Sequence, residues 1–221
     1  MYSDIIICLY TCNDDEKKLT DAYNEGWIKR YKADSRVKFI NVYASPSLVE
    51  PWILRGENLI VKCEESYDKL SIKTYKMISS VVDFTKFKFL IKIDCDLEYR
   101  TYQYTKLIDS LLDDNQSMHY TGVKKVKIIT REFKRWLWNN NRIKYNKDKM
   151  NLFNRKFYWT SLRPKGFFMG PCYSLSYSLC KYITDYGDEI ANILAKFGGG
   201  MEDVMVASYY KQFPYKKKNN Q

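Results

Sequence analysis

The stretch from Lys88 to Asp96 reads KFLIKIDCD, an apolar run that ends on two carboxylates one residue apart. A few apolar and β-branched residues bounded by polar clusters predict a central β-strand. In open α/β sheets, ligands bind in the crevice beyond the carboxyl ends of the strands. Successive side chains of a strand alternate between its two faces, so Asp94 and Asp96 are expected to point to the same side, at that crevice.

Two carboxylates aimed at one place suit a hard divalent cation, because such cations prefer oxygen ligands. The alternative for Asp94 and Asp96 is an ordinary strand end, since carboxylates often close a strand at a turn. The tripeptide D-x-D alone does not separate the two interpretations, and the context elsewhere in the chain has to do so.

Composition predicts one soluble domain over residues 1–221. Apolar residues make up 45% of the chain, with 5 Trp, 20 Tyr and 11 Phe, which excludes a disordered protein. No apolar run approaches the roughly 18 residues of a membrane span. The first residues carry no basic signal-peptide region, so a cytoplasmic protein is expected. The 6 Cys form no C-x-x-C pair, and with 1 His in the chain a structural zinc site is not expected; we interpret the cysteines as reduced thiols.

The net charge of +11 is concentrated in two segments. Residues 124–149 hold ten basic and two acidic residues, and the Lys-rich tail 211–221, expected to be frayed, holds four Lys and no acid. The rest of the chain is therefore nearly neutral. A local basic segment suits a phosphorylated or polyanionic ligand and equally a solvated surface loop. A non-catalytic module that binds nucleic acid or another polyanion through 124–149 thus stays open. A metal-dependent phosphodiesterase or nuclease would need more carboxylates near Asp94.

Alternation of strand and helix patterns predicts a mixed, mainly parallel sheet covered by helices. The predicted strands are 4–10, 37–43, 58–63, 88–94, 120–123 and 167–175. The predicted helices are 19–32, 66–84, 102–113, 176–183, 190–197 and 204–213.

Four segments occur in an order that resembles the β-1,3-galactosyltransferases and fringe-type enzymes of glycosyltransferase family 31. ESYDKLSIKT at 65–74 is similar to their D-x-Y-x-N-L-T-x-K-T segment, and KIDCD at 92–96 is similar to K-x-D-D-D. Arg163-Pro164 followed by GPCYSLS at 170–176 resembles Y-P-x-Y-x-x-G-x-G-Y-V-L-S, and Glu202-Asp203-Val204 resembles E-D-V. Together they span almost the whole chain.

The resemblance implies a GT-A, Rossmann-like domain that binds a nucleotide sugar. It also implies metal-dependent, inverting transfer from a UDP-sugar donor to a hydroxyl of a glycan acceptor, through a β-1,3-type linkage. Asp94 and Asp96 would hold Mn²⁺ (or Mg²⁺) on the diphosphate. Asp203, with Glu202 beside it, would occupy the catalytic-base position. From the residues alone, Glu202 and Asp203 would equally suit the favourable electrostatics of a helix N-terminus.

Other positions follow from the same resemblance. Thr11, Cys12 and Asn13 come after the first strand, where such a fold meets the nucleotide, although an ordinary turn would also fit. Lys73 would reach a phosphate or brace Asp94, unless it is a solvated helix lysine. Gly170 and Tyr173 would shape the sugar pocket. Three tryptophans could stack on an acceptor sugar or simply fill the core: Trp136, Trp138 and Trp159.

The chain departs from the family pattern at several points. Cys95 replaces the middle carboxylate of the metal strand, and Cys172 replaces a glycine. Family members supply a His metal ligand after E-D-V, and no His follows Asp203 here, so we expect weak metal binding. The Golgi-resident members have a membrane anchor, whereas this sequence shows none, which fits a bacterial, viral or other cytosolic enzyme.

Overall fold

The computed structural model describes residues 2–11, 16–24, 26–95, 101–113, 118–127, 166–168, 170–197 and 201–214. These ranges contain nine strands: β1 (Tyr2–Tyr10), β2 (Val37–Ala44), β3 (Trp52–Arg55), β4 (Asn58–Val61), β5 (Lys86–Asp94), β6 (Tyr120–Gly122), β7 (Lys125–Lys127), β8 (Gly166–Phe168) and β9 (Cys172–Ser176). They also contain seven α-helices: α1 (Glu16–Asn24), α2 (Gly26–Lys32), α3 (Leu70–Phe84), α4 (Thr101–Leu112), α5 (Tyr177–Tyr186), α6 (Glu189–Phe197) and α7 (Glu202–Gln212).

Seven strands form one mixed sheet in the order β3-β4-β2-β1-β5-β9-β6. The four central strands are parallel, whereas β3, β9 and β6 each pair antiparallel with a neighbour. The predicted α/β class and mixed sheet are confirmed. The parallel pairs lie at the centre of the sheet, and antiparallel strands close both of its sides.

Two apolar layers cover the sheet because the inner strands are apolar at nearly every position. On β1, Ile6 and Cys8 face one layer together with α3, α5 and α7, while Ile5 and Ile7 face the other with α2 and α4. All four of these side chains have 0% exposure. Burying one such aliphatic side chain stabilises the fold by about 1.5–3 kcal/mol. The strand pattern of β1 therefore holds both layers together.

The structure differs from the predicted elements in the short strand β7, which was not predicted, and at three further points. The single helix expected over 19–32 is two helices, with α2 beginning at Gly26, a residue type that disfavours helix interiors. Strand β3 was not predicted. It forms a hairpin with β4 through Gly56-Glu57, where Gly56 has a φ of +61° that suits a tight two-residue turn.

The third difference concerns the strand expected over 167–175. It is two strands, because Gly170 and Pro171 form a turn between them. Strand β8 pairs with β7 in a separate small sheet, and β9 joins the main sheet beside β5. This turn brings the Gly170 backbone to the carboxyl end of β5.

Two absences can be stated for the described ranges. No helix there is both long and apolar enough to cross a membrane. Four cysteines of this part of the chain carry free thiols: Cys8, Cys63, Cys172 and Cys180.

Candidate active site

The candidate site lies where the carboxyl ends of β1 and β5 meet. Tyr10 of β1 and Asp94 of β5 are register partners, and the Cys95 N–H donates to the Tyr10 carbonyl over 3.0 Å. The Asp94 N–H donates to the carbonyl of Pro171 over 3.1 Å, which ties the turn before β9 to this point. The sheet edge predicted to hold the ligand thus gathers backbone from three parts of the chain.

Lys92 lies near the carboxyl end of the central strand β5 and is completely buried. Its Nζ contacts Oδ1 of Asp94, donates to the Gly170 carbonyl over 2.7 Å and lies 3.3 Å from Oε1 of Glu202. Burial alone would lower the pKa of Lys92, but the negative charges of Asp94 and Glu202 outweigh it and raise the pKa. The ammonium therefore stays charged.

Asp203 lies on the first turn of α7 and is held by backbone donors. Its Oδ2 accepts from the Gly170 N–H over 3.1 Å, and its Oδ1 accepts from the Val204 N–H over 2.7 Å. Burial, and next the charge of Glu202, raise the pKa of Asp203 from 3.8 to about 8, against the opposing effects of the two backbone donors and of Lys92. A carboxylate with such a pKa can accept a proton near neutral pH.

Glu202 and Asp203 have different surroundings although they are adjacent in sequence. Glu202 is 5% exposed and pairs with the buried Lys92. Asp203 is partly exposed and accepts from backbone N–H groups. Of the two, Asp203 is therefore the more accessible to a bound molecule. Glu202 lies deeper, where it pairs with the charge of Lys92.

Lys73 is buried, with 2% exposure, so it is not a solvated helix lysine. Its Nζ donates to the Thr11 carbonyl over 2.7 Å and to both carboxylate oxygens of Glu65, at 2.8 and 2.9 Å. Glu65 also accepts from the Ala44 N–H over 2.8 Å. The pair therefore fixes the ends of β1 and β2, and the bracing of Asp94 that the sequence suggested for Lys73 comes from Lys92.

Tyr10 separates the two buried lysines. The ammonium of Lys92 lies 4.8 Å from the centre of its ring, and that of Lys73 lies 5.2 Å from it. The Tyr10 hydroxyl donates to Thr74 over 2.9 Å, which anchors the ring to α3. Cation–π contacts of this kind stabilise a buried ammonium, so Tyr10 joins the two charged groups into one cluster.

The predicted site residues fall into two groups. The structure brings together Thr11, Lys73, Asp94, Gly170, Tyr173, Glu202 and Asp203 around this cluster. Tyr173 is completely buried against Lys92, with no hydrogen-bond partner for its hydroxyl in the described structure, so it lies beneath the site surface. Cys12, Asn13, Asp96, Trp136, Trp138 and Trp159 lie outside the described residues.

Asp94 fits a divalent cation only as part of a larger ligand set. The Asp94 side chain is 30% exposed, whereas Lys92, which contacts its Oδ1, is fully buried. The carboxylate can therefore contact a ligand on its solvent-exposed side. No group of three or more His, Cys, Asp or Glu side chains suited to a metal occurs among the residues with described positions. A carboxylate oxygen such as that of Asp94 is the kind of donor that Mn²⁺ and Mg²⁺ prefer, whereas softer metals prefer sulfur or nitrogen donors.

Sequence reasoning missed three members of the cluster: Tyr10, Glu65 and Lys92. The sequence did hold a signal for Lys92, because a lysine between Ile91 and Ile93 interrupts an otherwise apolar strand. A buried lysine needs a partner, and the period of two places Asp94 on the same side. Its second carboxylate partner is 110 residues away and could be found only in the structure.

A scan against models of protein families matches residues 54–220 to the galactosyltransferase family. A search of curated proteins returned no match. The matched region covers more than half of the chain and includes Lys73, Asp94, Gly170 and Asp203. With the mixed α/β sheet and the carboxylates at its edge, this match shows that the chain belongs to the galactosyltransferase family, that of the β-1,3-galactosyltransferases of glycosyltransferase family 31.

Proposed function

We propose that this galactosyltransferase-family protein is an inverting, metal-dependent enzyme that moves a sugar from a UDP-sugar to a hydroxyl of a glycan acceptor, with a β-1,3-type linkage. One observation carries the proposal. Asp94 and Asp203 sit at the same sheet edge and are joined through Lys92 and Gly170 by contacts with both carboxylates. A candidate donor-side carboxylate and a candidate base thus lie at the same end of the sheet, linked by one buried lysine.

The donor would lie at the ends of β1 and β5. Thr11, held by Lys73, would line the nucleotide side together with Cys12 and Asn13. Asp94 and Asp96 would hold Mn²⁺ or Mg²⁺. A bound cation stabilises, as a Lewis acid, the negative charge that develops on the diphosphate as it leaves.

Asp203 would act as the general base from the opposite side of the sugar. Its carboxylate takes the proton from the acceptor hydroxyl while that oxygen forms a bond to the anomeric carbon and the bond from that carbon to UDP breaks. Attack on the face opposite the leaving group inverts the anomeric configuration, by analogy with inverting glycosidases. The raised pKa of Asp203 matches this role, because a base must hold the proton during transfer.

A thermal-shift screen of UDP-sugars with and without Mn²⁺ tests donor binding. A ligand at about 100 times its Kd stabilises a protein by about 2.7 kcal/mol, which corresponds to a rise in Tm of about 5–10 °C for a domain of this size. We expect such a rise for at least one UDP-sugar, larger with Mn²⁺ present. Asp94→Asn should remove the Mn²⁺-dependent part.

Asp185→Asn is the matched control, because Asp185 is an exposed helix carboxylate paired with Lys181. It should keep the full shift. The competing interpretation, a basic module that binds polyanions through 124–149, predicts the opposite pattern: binding of nucleic acid that weakens steeply with salt and ignores Mn²⁺. A screen in which no UDP-sugar raises the Tm, with or without Mn²⁺, would contradict the proposed function.

A further inference from the structure

Lys92 contacts three separate elements with a single ammonium. Its acceptors are Asp94 on its own strand, the Gly170 carbonyl 78 residues further along the chain, and Glu202 on α7, 110 residues away. An ammonium has three donors, so these three acceptors account for all of them. No rotation of the group could improve one contact without weakening another.

A buried charge at this position is not what stability alone would favour. Lys92 lies inside the sheet between Ile91 and Ile93, and well-packed apolar side chains in place of buried ion pairs are often at least as stable. The two aromatic rings beside its ammonium, Tyr10 at 4.8 Å and Tyr173 at 5.9 Å, provide a place that suits a cation. The surroundings of Lys92 therefore stabilise its positive charge, although an apolar side chain would suit the rest of the strand.

We propose that Lys92 is a positioning residue, which fixes the separation between the donor-side carboxylate Asp94 and the start of α7 that carries Asp203. This inference rests on the proposed function and adds a residue to it. Two contacts connect Lys92 to Asp203. One is with Glu202, the residue before Asp203, and the other is with the carbonyl of Gly170, whose N–H donates to Asp203. It does not touch substrate itself.

The consequence is that the two halves of the site act as one unit. Displacement of a catalytic group by about 1 Å can cost about 100-fold in rate. We therefore expect Lys92→Met to lower kcat by about 100-fold and Glu202→Gln to lower it by about 10-fold. The double variant should resemble Lys92→Met alone, because Glu202 acts through Lys92.

The test is a double-mutant cycle on the rate of UDP release, measured per folded molecule with the UDP-sugar that the wild-type protein turns over fastest. The wild type, Lys92→Met, Glu202→Gln and the double variant form the cycle. Lys88→Met is the matched control, since Lys88 lies four residues earlier on the same face of β5 and pairs with Asp4 at 3.7 Å. Its kcat should stay within about twofold of the wild type.

Lys92→Arg keeps the charge and should retain about tenfold more activity than Lys92→Met, which a purely space-filling role would not produce. If Lys92→Met does not fold, Lys92→Arg takes its place in the cycle, and the same non-additivity is expected. Multiplicative effects, about 1,000-fold in the double variant, would overturn the proposal. So would a Lys92→Met protein as active as the Lys88→Met control. Absence of turnover by the wild type would instead count against the proposed function.

Discussion

Asp203→Asn is expected to lower kcat for sugar transfer by about 10³-fold, because the amide cannot take the proton of the acceptor hydroxyl. The fold should survive, since the Asn carbonyl can still accept from the Val204 N–H that now donates to Oδ1, and only the hydrogen bond from the Gly170 N–H to Oδ2 is lost. UDP release in the presence of acceptor measures kcat, and circular dichroism checks the fold. Asp185→Asn should be fully active. An Asp203→Asn enzyme with more than about a tenth of the wild-type kcat would exclude Asp203 as the base.

The pH dependence of activity should also differ between the wild type and Asp203→Asn. The base works deprotonated, so wild-type kcat/KM should rise with pH along a limb with its midpoint near the pKa of Asp203, about 8. Burial raises this pKa most, the charge of Glu202 raises it further, and the two backbone donors and Lys92 lower it. The residual activity of Asp203→Asn should lack the limb. A limb that persists in the variant would assign the titration to another group.

The contribution of Asp203 to the free energy of unfolding should fall as the pH rises, whereas kcat/KM should rise. The pKa of Asp203 is raised in the folded state from 3.8 to about 8, so the folded protein keeps a proton that the unfolded chain has released. The stabilisation is present below pH 4 and is lost as the pH rises to 8, by at most about 1.4 kcal/mol per pH unit. The Tm of Asp203→Asn relative to the wild type should therefore increase between pH 5 and pH 8. A constant difference would contradict the raised pKa.

Gly170→Ala should lower kcat by about 100-fold and the free energy of unfolding by about 1–3 kcal/mol. A Cβ atom on Gly170 would lie 2.4 Å from Oε1 of Glu202 and 3.3 Å from its Cδ. Glu202 is buried and paired with Lys92, so it cannot move aside without breaking that pair. The displaced turn would also shift the Gly170 N–H that donates to Asp203.

Gly26→Ala is the matched control for this substitution, because a Cβ atom at Gly26 meets nothing within 4 Å. It should leave kcat unchanged and the Tm equal or slightly higher, since Ala favours a helix more than Gly does. Urea unfolding and kcat, measured on both variants, separate the two outcomes. Equal behaviour of Gly170→Ala and Gly26→Ala would show that the close approach of Gly170 to Glu202 is not needed.

Much of the fold could be predicted because its strongest signals are local. The apolar runs of β1 and β5 are nearly continuous, as buried parallel strands require, and Ser176 caps α5 by accepting from the Leu179 N–H. The short edge strand β3 was missed because it has only four residues, of which three are half-buried and one is exposed. The break at Gly170-Pro171 was missed because apolar residues continue on both sides of it.

The candidate site could be predicted only in part for a related reason. Asp94 and Asp203 are visible as carboxylates at element ends, and the family resemblance gave them roles. The partner of each is set by tertiary structure: Lys92 meets Glu202 across 110 residues, and the Tyr10 ring meets two lysines from different elements. Sequence patterns show that a buried lysine needs a partner, but not which carboxylate provides it.

A crystal structure with UDP and Mn²⁺, with the ion located by its anomalous scattering, tests the central claim most directly. The account predicts Mn²⁺ within about 2.2 Å of a carboxylate oxygen of Asp94 or Asp96, in contact with the diphosphate, and Asp203 facing the space where the sugar would lie. Mn²⁺ bound away from both aspartates, or UDP bound only along the basic segment 124–149, would contradict it.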